Sequence, residues 1–135
     1  MAEESIAKIL LAAAKRDQQA FRALVAMPEM NDAVIGFHAH QCLEKALKAS
    51  LAHLGVQYRR THDIAELLDL LHDCGRDAPP FSDGLDELNP YAVESRYGLI
   101  EPSRLDRVTA SRMVEAVVSW AEMQLATLMS QGKAR

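Results

Sequence analysis

The stretch that decides the fold is residues 37–63, FHAHQCLEKALKASLAHLGVQYRRTHD. Six apolar side chains in and just before it fall on one arc of a helix, which predicts an amphipathic helix with a buried face: Val34, Phe37, Leu43, Leu47, Leu51 and Leu54. His40 and Glu44 lie inside the same arc. Because burying an unpaired carboxylate costs several kcal/mol, we predict that Glu44 has a positively charged partner.

The predicted partner of Glu44 is Arg96, in the stretch NPYAVESRYG at 89–98. Apolar and aromatic residues around Arg96 indicate a partly buried short helix, and arginine keeps its charge when it is buried. His40, one helical turn before Glu44, is a second possible partner. In a third interpretation Glu44 lies at the edge of the arc and reaches water. The first two interpretations give a structural polar cluster of Glu44, His40 and Arg96.

Apolar periodicity and terminal signals predict five helices along the chain. Their approximate ranges are 3–27, 31–54, 63–75, 83–98 and 103–129. Asn31 is a predicted N-cap, Asp63 with Glu66 forms a predicted capping box, and Ser103 with Asp106 forms another. Gly55 and Gly75 are predicted stops of the second and third helices, and Asn89-Pro90 is predicted to interrupt the fourth.

Short connections between the predicted helices favour antiparallel neighbours, and strand signals are absent. The sequence therefore predicts an all-α fold, an up-and-down four-helix bundle with a short additional helix, as one domain over residues 1–135. Apolar residues make up 49% of the chain, which is enough to fill a core.

The net charge and the cysteine content argue against several classes of protein. A net charge of −4 argues against nonspecific adhesion to nucleic acid over the whole surface, and leaves room for a local basic patch. The two cysteines show neither a disulfide framework nor the spacing of a zinc site. Acidic residues near the N-terminus, and no long apolar run, predict a cytoplasmic protein that does not bind a membrane.

Several polar residues are candidates for binding. Lys45 and Lys48 form a solvated stripe or contact a phosphate. His62 follows Arg59-Arg60 at a predicted helix N-terminus, where backbone N–H groups favour anions, so it binds a phosphate or fixes the loop. His40 and Glu44 have the spacing of helical metal ligands, but no motif supplies a third ligand, so no metal or cofactor is predicted.

Three segments of the sequence form a recognisable set: FHAHQCLEKALKA at 37–49, THDI at 61–64 followed by Leu67 and Leu68, and ESRY at 94–97. Together they resemble a known family, the prokaryotic HEPN domain, a helical bundle named for higher eukaryotes and prokaryotes nucleotide-binding. Their order, with the helical segments around them, extends the resemblance over nearly the whole chain.

The resemblance implies properties that residue spacing does not show. Small stand-alone HEPN proteins are typically homodimers, are often encoded beside a minimal nucleotidyltransferase, and can act with it as a toxin and antitoxin. We therefore expect a module that binds a nucleotide or an RNA phosphate, with these candidate residues: Arg96, Tyr97, Lys45, Lys48, His62 and Gln41.

Many HEPN toxins are metal-independent RNA endonucleases whose motif is an arginine followed, after four to six residues, by a histidine. None of the five histidines here follows an arginine at that interval, so the usual proton carrier for RNA cleavage is missing. We therefore expect a binding module rather than an enzyme. Two alternatives stay open: an RNA-cleaving toxin with another arrangement, for instance His62 with Arg96, and a purely structural interaction subunit.

Overall fold

The computed structural model describes the backbone of residues 2–92 and 104–134 and the side chains of 5–92 and 104–127. This part of the chain contains four α-helices and one short 3₁₀ helix: α1 Ala2–Val25, α2 Asp32–His53, α3 Ile64–Asp73, the 3₁₀ helix Leu85–Tyr91 and α4 Arg107–Ala134. No strand occurs among these residues, and the predicted all-α bundle of four main helices with a short additional one is confirmed. In the same ranges, no helix combines the length and apolar character needed to cross a membrane.

Helix α2 lies at the centre of the bundle and touches every other helical element. Its residues Leu43, Leu47 and Leu51 are fully buried, as the periodicity predicts, whereas Val34, at the start of the same arc, is 39% exposed. Small residues on its other faces, such as Ala39 and Ala46, are equally buried. Because an alanine side chain ends at Cβ, neighbouring helices approach α2 closely from more than one side. Helix α2 is therefore buried over a wider face than the single apolar arc suggested.

The ends of α2 and α3 follow from their terminal residues. The Asn31 side chain accepts a hydrogen bond from the backbone N–H of Ala33 at 2.7 Å, which caps α2. Gly55 takes a φ of 73°, and the next N–H, from Val56, bonds the carbonyl of Leu51 at 2.9 Å. Gly75 ends α3 in the same way with a φ of 77°. A positive φ at these positions favours glycine, so both predicted stops are confirmed.

Helix α4 begins later than predicted. The Asp106 side chain accepts hydrogen bonds from the backbone N–H of Thr109 at 3.1 Å and from its hydroxyl at 2.8 Å, which is the geometry of an N-cap. These bonds also hold the pKa of Asp106 below its ordinary value. The cap is therefore Asp106, with the helix starting at Arg107, and Ser103 lies outside the described residues.

Arg107 joins the start of α4 to the turn between α1 and α2. Its guanidinium bonds Asp32 Oδ1 at 3.0 and 3.1 Å and donates to the carbonyls of Met27 and Met30 at 2.9 and 2.6 Å. We call this set of contacts the Arg107 clasp. A planar guanidinium can reach all three partners at once, which a lysine ammonium on a single stem cannot do.

The 3₁₀ helix packs against α2 through a glycine. A Cβ built at Gly36 would overlap the ring of Tyr91, which is buried at 4% exposure. The predicted interruption near Asn89-Pro90 falls inside this helix, since Pro90 is one of its residues. The remainder of the predicted fourth helix, from residue 93 onwards, lies outside the described residues.

Candidate functional site

Glu44 is buried in the interior of the protein, with an exposure of 4%. Lys48 Nζ lies 2.9 Å from Glu44 Oε2, and His62 Nδ1 lies 2.9 Å from Glu44 Oε1. The carboxyl group thus has one partner a single turn further along α2 and another from the loop before α3. The predicted partner, Arg96, lies outside the described residues.

Lys48 does not belong to a solvated stripe. Its side chain is 12% exposed, and its ammonium lies 5.6 Å from the centre of the Tyr58 ring. Burial raises the pKa of Tyr58, and the negative charge of Glu44 adds to the shift. The positive charge of Lys48 is therefore compensated inside the protein by Glu44, with the ring of Tyr58 beside it.

Lys45 faces a different helix. Its ammonium lies 2.6 Å from Asp17 Oδ2 on α1, and His38 Nδ1 lies 3.2 Å from the other oxygen of Asp17. Gln41, one turn before Lys45, is partly buried on α2. The structure thus separates Lys45 from Lys48, and only Lys48 stands beside Glu44 and His62. Tyr97, like Arg96, lies outside the described residues.

His40 contacts the loop rather than bonding Glu44. Its Nε2 lies 2.8 Å from the backbone carbonyl of His62, while its Nδ1 is 3.8 Å from Glu44 Oε1, too far for a hydrogen bond. The ring is completely buried. Burial lowers the pKa of His40, against the opposing influence of the Glu44 charge, the His62 carbonyl and the Asn89 amide.

His62 presents a free edge to solvent. Its side chain is 56% exposed, and its Nδ1 is the nitrogen that meets Glu44. A carboxylate oxygen can only accept, so Nδ1 carries the proton and donates. In the neutral ring, Nε2 is then a hydrogen-bond acceptor on the outward side, and in the charged ring it is a donor.

Asn89 fixes the turn that carries His62, a role that no pattern in the sequence indicated. Its carbonyl oxygen accepts from the backbone N–H of Ile64 at 3.1 Å, and its Nδ2 donates to Asp63 Oδ1 at 2.9 Å. Asp63 also caps α3 by accepting from the N–H of Ala65 at 3.0 Å. The 3₁₀ helix, the turn and α3 are therefore held together at this point.

Glu66 does not complete the predicted capping box. Its carboxyl group pairs with Arg59, whose Nε lies 2.9 Å from both oxygens, while the backbone N–H of Asp63 donates to the Thr61 hydroxyl at 3.0 Å. Arg60 is exposed, and no ion pair with it occurs within the described part of the chain. Arg60, two positions before His62 in the chain, is therefore an exposed cation without an ion pair in these ranges.

The described clefts lie away from this polar cluster. One of about 340 Å³ lies between α3 and the loop that follows it, and has Asp69, His72 and Asp86 among its lining residues. No three His, Cys, Asp or Glu side chains within the described ranges are arranged to hold a metal ion. Burial raises the pKa of the Cys42 thiol to about 12, so this group stays protonated and is a poor nucleophile.

We expect His40 to make the fold less stable in mild acid. The unfolded chain takes up a proton at His40 near the ordinary pKa of 6.5, whereas the folded protein resists it because its pKa is lowered. The free energy of unfolding should therefore fall as the pH drops below that value. Urea unfolding at several pH values should show a smaller decline in His40→Gln than in the native chain. An equally small decline in the exposed control His72→Gln would contradict this assignment.

Comparison with known proteins gives one match. A model of the HEPN domain family matches residues 7–124 of the chain. Neither the curated proteins nor the solved structures contain a match to it.

Proposed function

Because the chain belongs to the HEPN domain family, we propose that it is a binding module that takes up a phosphate of a nucleotide or of RNA at the surface around His62. In this proposal the chain serves as partner subunit of a minimal nucleotidyltransferase in a toxin-antitoxin-like pair in the cytoplasm. The resemblance of its three motifs to those of small stand-alone HEPN proteins supports the partner, and two cysteines without a disulfide framework support the compartment.

The observation that carries the binding proposal is the position of His62. Its Nδ1 is fixed by Glu44 and its backbone carbonyl by His40, so the other edge of the ring is held toward solvent. Arg60, exposed and without an ion pair in the described part of the chain, lies two residues away. A charged imidazole and a guanidinium are both suited to phosphate oxygens.

The structure changes which lysines support the proposal. Lys45 pairs with Asp17, and Lys48 pairs with Glu44. Lys48 therefore acts through Glu44, by holding the carboxyl group that positions His62. Arg96, Tyr97 and Gln41 stay in the proposal as candidate contacts on the strength of the family resemblance.

The binding test is isothermal titration of the full chain with ATP, GTP, pyrophosphate and a short RNA. We expect saturable binding of at least one ligand, weakened about tenfold in His62→Ala and in Arg60→Ala, since a hydrogen bond to a charged group contributes roughly 1.5 to 3 kcal/mol. Arg96→Ala should weaken binding without unfolding the chain. The exposed residues His72 and Arg76 provide matched controls, His72→Ala and Arg76→Ala. Absence of binding, or equal losses in the controls, would overturn the proposal.

One observation favours a second function, cleavage of RNA without a metal. A buried carboxylate bonded to Nδ1 of an exposed histidine leaves Nε2 as a proton acceptor, which is the arrangement of a general base. In this alternative, induction of the chain in cells arrests growth and breaks down RNA, and His62→Ala abolishes both effects. Growth arrest that persists in His62→Ala would exclude His62 as the base.

We also propose a homodimer, on the strength of the family resemblance. Three methionines of α4, at positions 113, 123 and 129, are candidate interface residues. Met113 is buried at 4% exposure and belongs to the core, whereas Met123 is 68% exposed. The side chain of Met129 is outside the described residues. Light scattering at micromolar concentration should give twice the mass of the chain, and a monomer would reject the dimer.

A further inference from the structure

The side chains of His40 and His62 both lie near the same oxygen atom of Glu44, Oε1. His62 Nδ1 donates to Glu44 Oε1 at 2.9 Å, and His40 Nδ1 faces that oxygen at 3.8 Å. The other oxygen is occupied by Lys48. The two imidazoles therefore differ in distance to a shared acceptor, and the nearer one is on the surface.

The protonation of His40 can be assigned from its contacts. Its Nε2 lies 2.8 Å from the carbonyl oxygen of His62, and a carbonyl can only accept, so Nε2 carries a hydrogen. In the neutral ring Nδ1 then has no hydrogen. This atom is buried and has no hydrogen-bond partner within the described ranges. The nearest carboxyl oxygen, Glu44 Oε1, lies 3.8 Å from it, beyond hydrogen-bond distance.

A second proton on His40 would change this contact. It can only add at Nδ1, which then becomes a charged donor directed at Glu44 Oε1. Within the described part of the chain, the groups around His40 are Glu44 on its own helix, His62 on the turn and the uncharged amide of Asn89 on the 3₁₀ helix, with Lys48 on the far side of the carboxyl group. Glu44 is the only anion in this set of neighbours. Its attraction for the charged ring would draw Nδ1 and Oε1 together.

We propose that charging of His40 unlatches His62: the Nδ1–H of His40 takes over Glu44 Oε1, and the imidazole of His62 leaves that oxygen. His62 is the partner that yields because its side chain is 56% exposed, against 12% for Lys48 and none for His40. The bond from His40 Nε2 to the His62 carbonyl exists in both states. The backbone of the turn therefore stays in place and only the ring is released.

Release of the His62 ring should change phosphate binding, an expectation that rests on the proposed function. In the latched state Nδ1 of His62 is committed to Glu44, and Nε2 alone can meet a ligand. In the released state both nitrogens of the His62 ring are free to meet phosphate. Acid should therefore strengthen phosphate binding through His40. Because burial lowers the pKa of His40, the change belongs below its ordinary pKa of 6.5.

The test is an NMR titration of the full chain, labelled at the imidazole nitrogens, from about pH 8 to about pH 5, the range in which ordinary histidines change charge. We expect the Nδ1–H signal of His62 bonded to Glu44 to disappear as Nδ1 of His40 becomes protonated. In His40→Gln the amide can still donate to the His62 carbonyl but cannot titrate, so the His62 signal should persist. The control His72→Gln should behave like the native chain.

Two results would contradict the proposed release of His62 from Glu44. One is a His62 ring that keeps its bond to Glu44 after His40 is charged, and the other is unfolding of the chain before His40 takes up its proton. Both are read from the native chain, so they do not depend on folding of the variant. Pyrophosphate titration across the same pH range separates the two proposals. If His40 replaces His62 at Glu44 Oε1 but pyrophosphate binds at no pH, the release of His62 is supported and the proposed function is refuted. If the pH dependence of pyrophosphate binding is the same in His40→Gln as in the native chain, the release of His62 is contradicted.

Discussion

Replacing Glu44 by leucine is expected to lower the free energy of unfolding by about 3 kcal/mol, because removing one partner of a buried ion pair leaves the other charge uncompensated. The remaining charge is Lys48, whose side chain is 12% exposed. Its flexible stem can reach toward water, so the cost should lie at the low end of the range for buried pairs. Urea unfolding monitored by circular dichroism measures the change.

The double variant Glu44→Leu with Lys48→Met tests whether the loss of stability comes from the uncompensated charge of Lys48. Apolar residues of similar size replace both charges, and such replacements are often neutral or stabilising. We expect most of the lost stability to return. The exposed pair of Lys15 and Glu122 is the matched control, and Glu122→Leu should cost less than about 1 kcal/mol. A Glu44→Leu variant as stable as this control would show that the buried pair does not hold the cluster.

The same variants distinguish a purely structural subunit from a binding module. A purely structural interaction subunit would bind no nucleotide or RNA, so His62→Ala would be silent in every binding assay. A binding module loses affinity in the double variant even though its stability returns, because His62 then has no carboxyl group to position its ring. The double variant should therefore recover stability without recovering binding.

Replacing Gly36 by alanine is expected to destabilise the fold by about 2 kcal/mol, since overpacking a well-filled site typically costs 1 to 3 kcal/mol. Alanine favours a helix over glycine by about 1 kcal/mol, so the result would run against helix propensity. The cause is the Tyr91 ring, which occupies the space that a Cβ needs. Thermal and urea unfolding both report the change.

Two further variants check that cause. In Gly36→Ala with Tyr91→Leu the smaller side chain makes room, so the two costs should be less than additive. Gly84→Ala is the control, because the added Cβ would meet the flexible end of Met113 at 3.3 Å. Since Asn89 lies on the same 3₁₀ helix as Tyr91, the Gly36→Ala change should also disturb the NMR signals of His62. Full additivity, or undisturbed His62 signals, would argue that the 3₁₀ helix does not shift.

The sequence predicted the class of fold and the burial of Glu44 because both depend on local periodicity. An acid inside an apolar arc needs a partner, and this reasoning needs no knowledge of distant contacts. The partner was harder to identify. Lys48 lies one turn from Glu44, but the helical projection placed its Cα on a polar face, and such a projection does not show how a long side chain folds back along the helix.

Other parts of the site come from distant contacts that sequence periodicity does not report. His62 meets Glu44 from 18 positions away, and Asn89 reaches Ile64 from 25 positions away. No local pattern marks Asn89 as a partner of the turn, and nothing in the sequence marks Gly36 as the site where a ring packs. The basic turn before a predicted helix N-terminus drew attention to His62, which also falls within the second shared motif, but neither observation supplied the orientation of its ring.

The Arg107 clasp bears on the order in which the chain folds during synthesis. It joins residues 75 to 80 positions apart, so it forms only after Arg107 has been added to the chain. Helices α1 and α2, connected by a short turn, are available long before then. A nascent chain that stops before Arg107 has no α4 to cover α2, and we expect such truncated products to depend on chaperones for solubility.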